Sequence, residues 1–299
     1  MVDYVQGKNK FKALLVERFF KGIVLSSLSD KQYTVLDYFF FKRKFPNLKN
    51  PTTFSEKIQW IKVYGSLERF TKYADKYTVR DYVEKTIGRR YLVPLIGVYN
   101  KFDDIPFDKL PNKFILKVSN SSGYNFICED KKKLDKKELK ITLNTWMSVN
   151  FYYEHREIQY KQAKTRIVIE PLLGDGKKGL SDFKFFCKNG EPQMIEVYTD
   201  VHTSPKVDLM DLNWKNLNIS LHFPGSGKEV KKPKQFNEML EISKKLSKNF
   251  PFVRVDLYLF KNKVYFGELT FTPGNGMYNI KPIKGEYILG KLIDIHKYN

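Results

Sequence analysis

The sequence predicts an α+β protein, with a helical N-terminal region followed by strands and hairpins that alternate with helices. In residues 1–70, apolar positions recur at helical spacing and are separated by capping and proline signals. Beyond residue 110, short runs rich in β-branched and aromatic residues are bounded by Gly and Asn turns. With 299 residues, the chain has room for a large core and for two or three subdomains.

The N-terminal region contains three predicted helices. The first covers residues 9–25 and is basic, with an apolar stripe of Phe11, Leu14, Leu15, Phe19, Ile23 and Val24. This stripe fits either packing against the rest of the protein or contact with an anionic membrane surface. Ser29 and Asp30 cap a second helix over 31–43, and the segment 50–57 contains the capping signal of a third.

The remaining elements follow from periodicity and turn signals. Further helices are predicted from Asp75 to about residue 86, over 135–149 and over 235–248. Segment 91–99 predicts a strand pair or a strand and a turn, and single strands are predicted at 113–118, 124–128 and 166–173. Segments 183–187 and 193–198 predict a hairpin around Asn189-Gly190, and Gly174-Asp175-Gly176 a turn. Residues 200–233, rich in Pro and Gly, predict an irregular surface connection.

A β-hairpin predicted over residues 252–271 carries two acidic residues that are expected to face each other. If its turn is centred on Asn262, antiparallel pairing sets Asp256 opposite Glu268, with Cβ atoms about 5 Å apart. Two facing carboxylates repel each other, and a divalent cation between them would remove the conflict because Mg²⁺ prefers carboxylate and phosphate oxygens. Two alternatives would also relieve this repulsion: a salt bridge from one of the carboxylates to Arg254, or a turn displaced by half a residue, so that the two acids are not directly opposed.

Other candidate site residues lie on three predicted strands. The small-residue loop 119–123 can bring backbone N–H groups close to a polyanion, and Lys117 beside it can pair with a phosphate. Such loops are also ordinary turns. Glu170, inside an apolar strand, is either a buried acceptor for an adenine amino group or a partly exposed edge residue. Lys184 alternates with Asp182, with which it can equally form a surface ion pair.

Composition limits the partners and the compartment. The net charge of +20 predicts attraction to an anion, whether nucleic acid, an acidic membrane face, nucleotide phosphates or an acidic polymer. Cys128 and Cys187 stand in apolar runs and are predicted to be buried free thiols in a reducing compartment. No apolar run approaches the ~20 residues that span a bilayer, and no signal-peptide pattern occurs, so we expect a cytoplasmic protein.

Several segments, taken in order, resemble the ATP-grasp superfamily. These segments are NPTTFSEKIQWIK, DKYTVRDYV, LPNKFILKVSNSSGYN, LSDFKFFCKNGEP, and FPFVRVDLY followed by YFGELTFTPGNG. The similarity covers most of residues 30–295 and is closest to the teichuronopeptide-biosynthesis (TupA-like) type, whose members are often labelled capsular polysaccharide glycosyltransferases. It implies an ATP-grasp fold, in which two α+β subdomains hold ATP. The implied division is a helical region at 1–70, a lid subdomain at 71–165 and a metal-bearing subdomain at 166–299.

The resemblance also implies roles for individual residues. By this resemblance, Lys76 and Lys117 would contact the phosphates of ATP. The loop that contains Ser119, Ser121, Ser122 and Gly123 would close over the phosphates, and Glu170 and Leu172 would lie at the adenine. Lys184 would approach the γ-phosphate or the acceptor, and Arg254 would face the acceptor carboxylate and the reaction oxyanion. Asp256 and Glu268 would hold Mg²⁺. Superfamily ligases usually have Asn two residues beyond the metal Glu; here that residue is Thr270, and Asn275 is the expected substitute ligand.

The implied activity is ATP-dependent ligation of a carboxylate to an amine through an acylphosphate. The expected substrates are a uronic acid of an acidic surface saccharide or lipid-linked polysaccharide intermediate, and an amino acid or other amine. A basic surface fits such a polymer or a carrier at the inner face of an anionic membrane. Glycosyl transfer and a kinase on the same scaffold are rival functions, although no D-x-D motif occurs. Aromatic residues at core periodicity, rather than interleaved with Lys and Arg on one face, argue against nucleic-acid binding.

Overall fold

A computed structural model describes residues 27–174, 181–199 and 205–298, in which helices flank two antiparallel sheets. This arrangement confirms the α+β class. The helix predicted over 9–25 and most of the turn predicted at 174–176 lie outside the described residues.

The described part of the N-terminal region is helical, as predicted. Helix α1 is Asp30–Lys42 and helix α2 is Phe54–Tyr64. Each begins with a capping box. The hydroxyl of Ser29 or Thr53 accepts a hydrogen bond from the backbone N–H of the residue three positions later, Gln32 or Glu56, and the side chain of that later residue accepts one from the backbone N–H of the capping residue. The capping signals in the sequence therefore located both helix starts.

In the ranges that the structure describes, six further helices follow, among several short 3₁₀ turns. They are α3 Thr71–Ala74, α4 Val79–Ile87, α5 Lys136–Ser148, α6 Tyr152–His155, α7 Phe236–Ser247 and α8 Lys284–Gly290. Asp135 caps α5 through two backbone N–H groups, and Gly88, with φ of 100°, ends α4. The sequence predicted α4, α5 and α7 to within a few residues.

The first sheet has four strands in the order β1-β4-β2-β3. They are β1 Gly97–Tyr99, β2 Phe114–Val118, β3 Asn125–Cys128 and β4 Ile167–Pro171. Of the two alternatives for segment 91–99, the structure shows the strand and turn. The sheet packs with α5 around a core of its own, drawn from residues 102–169.

The second sheet has five strands in the order β7-β6-β5-β8-β9. They are β5 Ser181–Lys188, β6 Glu191–Thr199, β7 Lys206–Asp211, β8 Phe252–Phe260 and β9 Lys263–Thr270. The prediction of irregular structure throughout 200–233 is wrong for β7. This strand is a short edge strand whose alternation is obscured by the Pro and Gly residues around it, and pairing with β6 stabilises it.

The larger core, which contains the second sheet, draws on residues 54–92 as well as on the C-terminal half of the chain. The helices between residues 54 and 92 therefore pack with the second sheet. The predicted boundary at 165/166 falls before β4, which is hydrogen-bonded to β1 and β2 of the first sheet.

The β8–β9 hairpin has the predicted pairing for a reason that the sequence analysis did not include. Its turn contains only Lys261 and Asn262, with φ of 49° and 61°, so its centre lies half a residue from the expected one. Continued without interruption, this pairing would set Asp256 opposite Gly267. A bulge beside Asp256 inserts one residue and brings Glu268 opposite instead.

Replacement of the extra residue in this bulge, Gly267→Ala, is expected to destabilise the protein. A Cβ at Gly267 would lie 3.0 Å from the carbonyl oxygen of Asp256 and 3.0 Å from the ring of Tyr258. The ring can turn away but the backbone carbonyl cannot, so we expect the free energy of unfolding to fall by about 1–3 kcal/mol. Denaturant unfolding measures this, and an unchanged value would contradict the close approach.

Candidate active site

One cleft, open to solvent, is lined by residues from both sheets. The sequence-predicted residues that line it are Lys76, Lys117, Ser122, Gly123, Glu170, Lys184, Asp256 and Glu268. They come from segments as far apart as the turn before α4 and the end of β9. The structure thus brings together most of the residues that the resemblance assigned to nucleotide and metal.

Lys76 is tied to the loop 119–123. It follows Asp75, whose carboxylate accepts two backbone N–H groups and fixes the turn before α4. The backbone N–H of Lys76 donates to the carbonyl of Ser119 at 2.9 Å, and its ammonium donates to the carbonyl of Ser121. Burial lowers the pKa of Lys76, while Glu268 acts in the opposite direction.

The four predicted loop residues divide into two pairs. Ser119 and Ser121 are buried; the hydroxyl of Ser119 donates to the backbone carbonyl of Lys164, and that of Ser121 to the carbonyl of Val118, three residues earlier. Ser122 and Gly123 are exposed and line the cleft, and Gly123 has a φ of 81° that favours glycine. Only the second pair faces the cleft; the first pair holds the loop in shape.

Glu170 on β4 is buried, with each carboxylate oxygen in an ion pair. Its Oε2 accepts from Lys117 Nζ at 2.7 Å and its Oε1 from Arg80 Nη1 at 3.1 Å. The edge-strand interpretation of Glu170 is therefore wrong, because β4 lies between β1 and β2. Arg80 was not among the site residues predicted from the sequence. Leu172 is half-buried and is not among the residues that line the cleft.

A row of charged residues crosses the second sheet on one face. Glu196 on β6, Lys184 on β5, Asp256 on β8 and Glu268 on β9 are successive cross-strand neighbours. Lys184 Nζ lies 3.2 Å from Asp256 Oδ2 and 3.2 Å from Asp182 Oδ2. Burial alone would lower the pKa of Lys184, but Asp182 and Asp256 raise it well above its usual value.

Arg254 lies between the two opposed acids of the hairpin. Its Nε and Nη2 donate to the two oxygens of Asp256 at 2.7 Å each, and Nη2 lies 3.7 Å from Glu268 Oε1. Thr270 accepts from Nη2 at 3.3 Å and donates to Glu268 at 3.1 Å. Nη1 donates to the hydroxyl of Tyr278 at 2.9 Å. The salt-bridge alternative weighed for these acids is thus present in the structure.

The donor set still fits Mg²⁺. Asp256 and Glu268 both line the cleft, and Mg²⁺ commonly uses one or two carboxylates together with phosphate oxygens. Burial would raise the pKa of Glu268, but Lys76, Lys184 and Arg254 hold it below its usual value, which keeps this ligand ionised. Within the described ranges, no group of three or more His, Cys, Asp or Glu residues is arranged to hold a metal by itself.

Asn275, the expected substitute ligand, is placed away from this set. It lies in the 3₁₀ turn Pro273–Gly276 and is not among the residues that line the cleft. Its Oδ1 accepts from Lys62 Nζ at 2.7 Å and its backbone carbonyl from Gln59 at 2.8 Å. Because the buried Lys62 occupies the side-chain oxygen, we leave Asn275 out of the metal set. Burial lowers the pKa of Lys62 to about 8.

A polar cluster behind Arg254 was missed by the sequence analysis. Glu196 is fully buried, its Oε2 is 3.8 Å from Arg254 Nη1, and neither oxygen accepts a hydrogen bond from any described residue. Tyr198 OH lies 3.1 Å from Nε2 of His222, whose ring stacks on Tyr278. Burial lowers the pKa of His222 to about 3 and so keeps it neutral. A glutamate inside the apolar run MIEVY was the available signal, the same one that identified Glu170.

The pH dependence of stability should change in Glu196→Gln. Burial raises the pKa of Glu196 to about 7, although the facing Arg254 and Lys184 oppose this and Asp256 and Asp182 add to it. Between the unfolded pKa of about 4.3 and about 7, the native state holds more protons than the unfolded state, so native stability falls as pH rises. At pH 5 the free energy of unfolding of the variant should be close to that of wild type. Above pH 5 the difference should grow in favour of the variant by up to about 1.4 kcal/mol per pH unit, and it should level off beyond pH 7.

Denaturant unfolding at pH 5 and pH 8 tests this prediction. The exposed Glu241, on α7, provides a matched Glu→Gln control. If Glu196→Gln is less stable than wild type at pH 8, Glu196 is ionised and stabilising there, and the prediction fails.

Comparison with known proteins identifies one matching family model and several similar solved structures. Residues 56–294 match the family model described as TupA-like ATPgrasp. No curated protein sequence matches the chain. The chain is similar to the solved structure of D-alanine–D-alanine ligase from Helicobacter pylori (16% identity, TM-score 0.40, covering 74% of this chain and 61% of that one).

Two further solved structures have comparable values. D-alanine–D-alanine ligase from Bacillus anthracis is 17% identical with a TM-score of 0.42, covering 80% of this chain and 67% of that one. The structure of the ATP-grasp ligase PsnB in complex with a variant precursor, Mg and ADP is 10% identical, with a TM-score of 0.39. The match covers 81% of this chain and 66% of that one. The chain spans 61% of the length of the H. pylori ligase, and at these identities the similarities do not bear on substrate.

Proposed function

Because the chain belongs to the TupA-like ATP-grasp family, we propose that it is an ATP- and Mg²⁺-dependent ligase that joins a carboxylate to an amine. The observation that carries this proposal is the cleft itself. It combines Lys76 and Lys117, the exposed end of a small-residue loop, and the opposed acids Asp256 and Glu268. Cations for the phosphates and carboxylates for a metal thus face one space.

The proposed reaction has two steps and needs no enzyme nucleophile. A substrate carboxylate attacks the γ-phosphorus of ATP and ADP leaves, giving an acylphosphate. The amine then attacks the acyl carbon, and inorganic phosphate leaves to give an amide. When bound, Mg²⁺ would neutralise phosphate charge beside Asp256 and Glu268.

Three lysines that line the cleft, together with Arg254, which contacts Asp256 but is not itself a lining residue, would act by alignment and charge neutralisation. Lys76 and Lys117 would bind phosphate oxygens, Lys184 would lie at the γ-phosphate, and Arg254 would face the acceptor carboxylate. At present Lys117 is paired with Glu170, while Lys184 and Arg254 are paired with Asp256. Nucleotide binding would therefore exchange carboxylate partners for phosphate oxygens.

We infer that the carboxylate belongs to a uronic acid in an acidic surface saccharide or a lipid-linked polysaccharide intermediate, and that the amine is an amino acid or a related compound. The net charge of +20 supports an acidic partner. The family match supports the ATP-grasp chemistry but not the identity of either substrate.

Phosphate release from ATP tests the proposal. The protein is incubated with Mg-ATP and candidate uronates, with and without candidate amino acids. We expect release that requires both substrates. A kinase would instead leave the phosphate on its product, and a glycosyltransferase would consume a labelled UDP-sugar without ATP. Either of these outcomes would contradict ligation.

A further inference from the structure

Aromatic and aliphatic side chains are exposed on the outer faces of α1 and α8. On α1, Leu36 and Phe40 are exposed one turn apart, and Arg43 follows just beyond the end of the helix. The large apolar side chains exposed in these regions are Leu36, Phe40, Phe41, Phe45, Ile283, Tyr287 and Ile288. We call them, together with the basic residues described next, the α1–α8 patch. Exposed apolar groups collected in this way mark interaction surfaces.

The charge around these side chains has one sign. Segments 40–50 and 279–291 carry six exposed basic residues, namely Arg43, Lys44, Lys49, Lys281, Lys284 and Lys291. Their one acidic residue, Glu286, is buried and accepts hydrogen bonds from Ser55, with Lys42 Nζ 3.4 Å away. On α1, Asp37 stands next to Leu36, but its side chain is only 25% exposed and lies 3.6 Å from His155. The exposed charges of the two segments are therefore all basic.

The two helices are joined at Lys42. Its ammonium donates to the backbone carbonyl of Tyr278, lies 3.4 Å from Glu286 of α8, and lies 5.9 Å from the ring centroid of Phe41. The hydroxyl of Tyr278 in turn accepts from Arg254 at 2.9 Å. Lys42 and Tyr278 thus connect the patch to Arg254.

We propose that the α1–α8 patch docks the protein on an anionic lipid bilayer. Aromatic rings enter the interface between headgroups and acyl chains, and Lys and Arg contact anionic headgroups. The combination of apolar side chains with exclusively basic exposed charge favours this partner over a second copy of the chain, because two identical basic faces repel each other. No described helix is long and apolar enough to cross the bilayer. The proposal is independent of the ligase reaction, since binding requires neither ATP nor substrate.

Co-sedimentation of the full chain with vesicles tests this proposal. Vesicles of phosphatidylcholine alone are compared with vesicles containing phosphatidylglycerol, at low and high salt. We expect binding to the anionic vesicles, weakened by salt. Phe40→Ser combined with Phe45→Ser should weaken partitioning at least about tenfold. The control is Ile141→Ser on α5, since Ile141 is 60% exposed and Phe40 is 64% exposed.

A second pair of variants tests the charge. Lys44→Glu with Lys284→Glu should weaken binding at least about tenfold, whereas Lys132→Glu with Lys137→Glu, both exposed in the region of α5, should have a smaller effect. Absence of binding to anionic vesicles overturns the proposal. So does binding that the patch variants leave unchanged, which would locate the contact elsewhere in the chain. A patch-dependent dimer that does not bind vesicles, seen by light scattering, would identify a second copy as the partner and also overturn it.

Discussion

Asp256→Asn is expected to reduce ATP turnover by about two to three orders of magnitude while the protein stays folded. Loss of one preorganised electrostatic partner has effects of this size. The substitution removes the charge that would hold Mg²⁺ opposite Glu268. The amide keeps the shape of the side chain, but its single oxygen can accept only one of the two hydrogen bonds that Arg254 donates to the carboxylate, so some stability is lost as well.

Phosphate release measures this effect, and circular dichroism checks the fold. Asp108→Asn is the matched control, because Asp108 is fully exposed and is not among the residues that line the cleft. Full activity in Asp256→Asn would remove this carboxylate from the mechanism. Glu268→Gln should behave like Asp256→Asn, since the two acids are directly opposed in the sheet.

Arg254→Met is expected to lower the free energy of unfolding by about 3–5 kcal/mol, the range found when one partner of a buried ion pair is removed. The guanidinium is buried and makes both short contacts to Asp256, while Glu196 lies 3.8 Å away with no hydrogen bond from any described residue. Its loss leaves Lys184 as the cation nearest to Asp256 in the described part of the chain.

Denaturant unfolding at pH 7 measures the loss. Arg254→Lys should lose less stability, because it keeps the charge but not the paired hydrogen bonds. Adding Glu196→Gln to Arg254→Met should recover part of the loss by removing one of the uncompensated acids. If Arg254→Met is as stable as wild type, the guanidinium is not what stabilises these carboxylates.

Local sequence signals predicted a large part of the fold. The capping residues Ser29 and Thr53 located two helix starts, and Asn189-Gly190 located one hairpin turn. The register of Asp256 with Glu268 was also right, but the turn was half a residue off and the bulge at Gly267 compensated for it. A turn type depends on adjacent residues and can therefore be predicted from local sequence, whereas a bulge depends on packing across the strands.

The partners of the site residues could not be predicted, because they depend on contacts between distant segments. Glu170 is held by Arg80, which is 90 residues earlier in the chain, and Asn275 is held by Lys62, which is 213 residues earlier. No periodicity reports such pairs. The sequence does show a carboxylate inside an apolar strand, and such a carboxylate needs a partner because its burial is unfavourable. This signal applies to Glu196 as much as to Glu170.

The central claim is that Asp256 and Glu268 hold a nucleotide-bound cation in the cleft. Calorimetric titration of ADP, with and without Mg²⁺, tests it without knowledge of the other substrates. We predict that Mg²⁺ strengthens ADP binding to the wild type and gives no such gain in Asp256→Asn. Equal strengthening by Mg²⁺ in the two proteins, or a wild type that binds no ADP, would contradict the claim.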